Sequence, residues 1–80
     1  MSPTFVIEEE AVARYRCLGD DRFPFVVIEF QHFATVQTPA GIRRQHGARR
    51  LTLGTGEGVR YIDARAFEVV PTGELLRRAD

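Results

Sequence analysis

Clusters of turn-forming residues punctuate this chain at short intervals: Gly19-Asp20-Asp21, Thr38-Pro39-Ala40-Gly41, Gly54-Thr55-Gly56-Glu57-Gly58 and Pro71-Thr72-Gly73. The segments left between them are strand-sized and rich in β-branched and aromatic residues. That spacing predicts an antiparallel meander rather than a helical bundle. In the stretch 25–33, Val26, Ile28 and Phe30 fall on one face, and Phe25, Val27, Glu29, Gln31 and Phe33 fall on the other. The sequence Val70-Pro71-Thr72-Gly73 places Pro where φ must be near −65° and Gly where a left-handed residue follows, so a hairpin should join 66–70 to 74–77.

One segment reads two ways. Between 8 and 18, Ala11, Ala13, Tyr15 and Cys17 alternate with Val12, Arg14 and Arg16, as in a strand. Ile7, Ala11, Tyr15 and Leu18 also form a helical stripe, with Glu10 four residues before Arg14. The strand reading makes the fold all-β, a small SH3-like five-stranded barrel or meander. The helix reading makes it α+β, with a helix near 8–18 packed on an antiparallel sheet. In either case the 80 residues form one small domain over 1–80, with no linker and no internal repeat.

Missing residue types exclude several chemistries. The chain has no Lys and no Asn, so no Walker lysine, no lysine Schiff base and no N-glycosylation acceptor. Its exclusive use of Arg matches the codon bias of a GC-rich bacterial genome. One cysteine, Cys17, cannot form an internal disulfide. There is no signal-peptide pattern and no apolar run approaching the ~20 residues of a membrane span, which predicts a cytoplasmic protein.

No catalytic constellation emerges. Cys17, His32 and His46, with Asp63 as orienter, contain the residue types of a thiol–imidazole site. Yet Cys17 lies in an apolar alternation, and His46 is expected in a loop. The glycines of 54–58 precede a strand-like segment and match no phosphate-binding fingerprint, so a hairpin turn is expected there. The histidines, the thiol and the Glu8-Glu9-Glu10 run lack metal-ligand spacing. The expectation is therefore a non-enzyme with no metal and no cofactor.

Charge is more informative in its distribution than in its total. The formal net charge is zero. Residues 1–29 carry net −3, residues 57–80 carry net −1, and residues 30–56 contain no acid and four arginines. Those four, Arg43, Arg44, Arg49 and Arg50, flank the glycine-bearing segment Gln45-His46-Gly47-Ala48, expected to be a loop. Guanidinium groups recognise carboxylate and phosphate in bidentate fashion, so this is a candidate anion- or partner-binding edge. Alternatively, the arginines are solvated and pair with Glu8–Glu10 across the barrel.

A strand with apolar groups on both faces needs cover on each. Phe25, Val27 and Phe33 are accordingly candidates for an apolar interface with a partner or a second copy of the chain. Together these features predict a protein-binding module that steers an acidic partner by charge and then buries apolar surface. The alternative is a single-stranded nucleic-acid-binding barrel using the same arginines, with Phe33 and Tyr61 as stacking platforms. Neutral overall charge weighs against it.

Overall fold

The computed structural model describes residues 5–79. Six strands run in chain order: β1 (Phe5–Leu18), β2 (Pro24–Thr38), β3 (Gly41–Leu53), β4 (Gly58–Asp63), β5 (Ala66–Val69) and β6 (Leu75–Arg78). Each pairs antiparallel with the next, and β6 pairs with β1 to close a barrel. The fold is all-β. Residues 8–18 are strand, not helix, because the strand alternation places Tyr15 and Cys17 in or against the core while Arg14 and Arg16 stay exposed. Six strands stand where five were expected, because a turn at Asp63–Arg65 separates β4 from β5. In it the Asp63 carboxylate accepts a hydrogen bond from the Arg65 backbone N–H at 2.8 Å. Among the described residues no helix is long and apolar enough to cross a membrane.

The barrel is lopsided. β1, β2 and β3 have 14, 15 and 13 residues, whereas β4, β5 and β6 have six, four and four. β6 meets β1 only at Cys17 and Leu18, and β4 meets β3 only at Leu51 and Thr52. The far ends of the long strands therefore leave the barrel as a three-stranded tongue. The molecule measures 55 × 24 × 19 Å, with a radius of gyration of 16.4 Å. A compact chain of this length would have a radius of about 12 Å.

The apolar core lies entirely at the barrel end. Cys17, Val27, Leu53, Val59, Phe67, Val69 and Leu76 are buried together, with Tyr15, Phe25 and Leu51 packed against them. The other four turns that connect consecutive strands occupy the predicted positions. Gly41, Gly56 and Gly73 adopt left-handed φ values of 123°, 103° and 73°. At the last of these the Gly73 backbone N–H donates to the Val69 carbonyl at 2.7 Å, closing the β5–β6 hairpin.

The inner face of β2 is the one bearing Phe25, Val27, Glu29, Gln31 and Phe33. This overturns the expectation that Phe25, Val27 and Phe33 present an apolar interface: Val27 is 0% exposed and Phe33 7%. Two polar residues share that face because each is satisfied internally. Glu29 accepts hydrogen bonds from the Tyr15 hydroxyl and from Arg49, both at 2.7 Å. The Gln31 amide donates to the Gly47 carbonyl at 2.8 Å and accepts from Arg49 at 2.7 Å. Outward from the barrel point Val26, 45% exposed, and the half-buried Ile28.

Candidate partner-binding edge

Residues 41–50 are strand throughout, including 45–48, where a loop was expected. Along this stretch β3 pairs with β2 on one side, while β4 joins its other side only from Leu51 onward. All ten residues are exposed. Hydrophobic patterning is absent here because the tongue is a single layer with no core beneath it, so no position selects for an apolar side chain. A bulge opposite His32 sets two residues of β3, Gly47 and Ala48, against one of β2. The extra residue switches faces between the two arginine pairs. Arg44 and Arg49 consequently share one face with Phe33 and Gln31, while Arg43 and Arg50 share the other with Phe30 and His32.

All four arginines predicted from sequence are thus brought to one strand edge, two to each face. Three of them reach acids across the sheet. The Arg44 guanidinium lies 3.8 Å from the centroid of the Phe33 ring and extends to Glu10 at 2.5 Å and Glu8 at 3.9 Å on β1. On the opposite face the Arg50 guanidinium lies 5.0 Å from the Phe30 centroid and makes a two-pronged pair with Glu9, both bonds 2.7 Å. Arg49 binds Glu29 and Gln31. Arg43 forms no ion pair among the described residues.

Each face of the tongue therefore repeats one device: an arginine from β3 crosses a phenylalanine of β2 to reach a glutamate of β1. The flat guanidinium and its methylene stem cover a ring that has no second layer to pack against. The Glu8–Glu10 run, which the acid-free 30–56 segment faces, compensates its charge in space. Glu9 also lies 2.5 Å from His32 Nε2. Hydrogen bonding to Arg50, aided by His32, lowers its pKa from 4.5 to about 2.

The other residues singled out in the sequence do not converge. Cys17 is buried in the barrel core. His32 and His46 lie on opposite faces of the tongue, and His46 stacks edge-on against Phe33 at 5.0 Å. Asp63 serves the β4–β5 turn. The 54–58 glycine segment is the β3–β4 turn, where the Gly56 backbone N–H donates to the Leu53 carbonyl at 2.9 Å. Among the described residues no three His, Cys, Asp or Glu side chains gather as a metal site would require. Of the two proposed stacking rings, Tyr61 is 60% exposed, but Phe33 lies beneath Arg44. Sequence reasoning missed Glu29 and Phe30, which hold Arg49 and lie beneath Arg50; the cue was a polar residue inside an apolar alternation.

No protein-family model, no curated protein and no solved structure was found to match this chain.

Proposed function

We propose that this chain is a non-enzymatic binding module of the small SH3-like barrel kind, working in the bacterial cytoplasm, that takes an acidic protein partner along β3. The observation that carries this reading is the free edge at 41–50, ten exposed residues with strand pairing on one side only. An unpaired strand edge offers a row of backbone donors and acceptors to an incoming extended segment. Arg43, Arg44, Arg49 and Arg50 project to both sides of that row, so acidic residues of an added strand meet guanidinium forks on either face. Charge complementarity of this kind sets approach rate and register more than raw affinity. Apolar burial, if the partner wraps beyond the edge, falls to Val26 and Ile28 on the outer wall rather than to Phe25, Val27 and Phe33.

The test is affinity capture with the unmodified protein beside two variants. One carries alanine at Arg43, Arg44, Arg49 and Arg50; the other is Arg43→Glu, which disturbs no ion pair among the described residues. Loss of the same acidic partner by both variants supports the reading, and equal capture by all three overturns it. Titration of unrelated oligonucleotides at rising salt addresses the alternative. Binding that falls steeply with salt would favour single-stranded nucleic acid instead, with Tyr61 as its exposed ring.

A further inference from the structure

The outer wall of the closed barrel carries a charge pattern unlike that of the tongue. Tyr15, Cys17, Val27 and Leu76 turn toward the core, so the positions between them face out. On β1 these are Arg14, Arg16 and Leu18, which lie beside Ile28, Val26 and Pro24 of β2. On the other side of β1, Arg77 of β6 stands opposite Leu18, with Leu75 outward two residues before it. The backbone offers no strand edge at the closed end of this wall. Cys17 and Leu18 pair with β6, and the Ala79 N–H donates to the Arg16 carbonyl at 2.8 Å. What docks on this wall therefore does so through side chains.

Arg14, Arg16 and Arg77 are exposed, and none of them forms an ion pair among the described residues. The acids around this wall are engaged elsewhere or lie past its end. Glu9 holds Arg50, Glu68 pairs with Arg60, and Glu74 accepts from the Asp20 backbone N–H. Asp20 and Asp21 sit beyond Leu18, in the β1–β2 connection with Arg22. The chain is neutral overall, so these three cations form a local excess and not a share of a global one. Aliphatic side chains are exposed among them: Leu18 at 37%, Val26 at 45% and Leu75 at 55%. Cation and apolar surface thus alternate on one wall.

We propose that this wall docks on an anionic lipid surface, with Arg14, Arg16 and Arg77 on the headgroups and Leu18, Val26 and Leu75 at the acyl boundary. A membrane interface offers an anionic layer with apolar depth directly beneath it, which matches both components of the wall. A nucleic-acid backbone would satisfy the arginines but give the aliphatic groups nothing to bury against. Among the outward positions just named there is also no aromatic ring on which a base could stack. The surface is independent of the free edge of β3 and uses none of its four arginines.

Co-sedimentation of the native protein with phosphatidylcholine vesicles containing about 30% phosphatidylserine tests this, beside pure phosphatidylcholine vesicles and a single-stranded oligonucleotide. Binding to the anionic vesicles is expected to be at least about tenfold stronger than to the neutral ones, and to fall with added salt. Arg16→Gln should weaken it by about fivefold, whereas Arg43→Gln, which removes the same charge from the tongue, should change it by less than about twofold. Replacing Val26 and Leu75 together by serine leaves the charge unaltered and should weaken binding by about tenfold through lost insertion. A lipid spin-labelled at the headgroup–acyl boundary should broaden the NMR signals of Arg16, Val26 and Arg77 before those of the tongue. Equal binding to the two vesicle types, equal effects of Arg16→Gln and Arg43→Gln, or broadening centred on the tongue would each overturn the assignment. So would oligonucleotide binding that depends on Arg16 while the vesicles are ignored. The vesicle comparison and the spin-label map need no variant, and so stand even if a substitution disturbs folding.

Discussion

The guanidinium of Arg44 sits 3.8 Å above the Phe33 ring while its far end pairs with Glu10 two strands away. A sheet one layer thick cannot bury an aromatic residue against a second sheet, and here a charged side chain of the same sheet takes that role. Phe33 reaches 7% exposure in a part of the molecule that lies outside the apolar core cluster.

This arrangement separates the cover from the charge. Both Arg44 and Glu10 are about half-exposed, so their ion pair is screened and contributes roughly 0–1 kcal/mol. Stacking over the ring adds about 0.5–1 kcal/mol, and uncovering Phe33 adds the loss of its apolar burial. Arg44→Ala should therefore destabilise the tongue by about 1–2 kcal/mol, and Glu10→Gln by no more than about 0.5. Native-state hydrogen exchange of the 41–50 amides reads both. Equal effects from the two substitutions would show that the ion pair, not the cover, holds the strand.

On the opposite face the Glu9–Arg50 pair sets an acid limit. The Glu9 pKa is lowered from 4.5 to about 2, so the folded state prefers the ionised form. A depressed carboxylate contributes its stability fully above the unfolded value and loses it as the pH falls through the folded one. Tongue stability should thus be level above about pH 4.5 and decline from there toward pH 2. Side-chain NMR titration of Glu9 checks this, and Arg50→Ala should move the midpoint back toward 4.5. A Glu9 midpoint already near 4.5 in the native protein would contradict the pairing.

The legibility of this chain follows the location of its core. Alternation in 25–33 separated the two faces of β2 correctly, because the barrel end has an inside and an outside. Choosing which face turns inward failed, since Glu29 and Gln31 are polar and only the partners Tyr15, Arg49 and Gly47 make their burial acceptable. Those partners are distant in sequence and have no local signature. The strand at 41–50 was invisible for a related reason: with no core to face, its residues carry no apolar period. The bulge at Gly47 and Ala48 further breaks the phase of the arginine pairs. Barrel closure rests on two residue pairs between β1 and β6, a long-range match that no local pattern encodes.

Gly19 is the tightest point of the β1–β2 connection. Its φ of −95° is open to any residue, so its need for glycine is steric, not conformational. A Cβ there would fall 2.6 Å from Phe25 Cε2 and against the Glu74 carboxylate, the same group that accepts a 2.9 Å hydrogen bond from the Asp20 backbone N–H. Gly19→Ala should cost about 1–3 kcal/mol, since either Phe25 leaves the core or the Glu74 tie is lost. Gly54→Ala, where nothing lies within 4 Å of the added carbon and φ is not left-handed, should stay within about 0.5 kcal/mol. Urea denaturation of the pair measures the difference, and matching midpoints would rule out the steric account.

Val26 and Val27 are neighbours in the chain with opposite fates, which makes them a direct probe of how β2 is oriented. Val27 is fully buried beside Leu53 and Leu76, whereas Val26 is 45% exposed on the outer wall. Truncating Val27 removes two buried methyl groups and leaves a cavity in a small core, so Val27→Ala should cost about 2–3 kcal/mol. Val26→Ala should cost about 0.5 kcal/mol or less, since its site is solvated before and after. Charge sharpens the contrast. Val27→Asp buries an unpaired carboxylate and should abolish folding, while Val26→Asp should leave the melting transition close to native. If the two positions respond in the reverse order, β2 is turned the other way, and Phe25, Val27 and Phe33 become the outward surface once more.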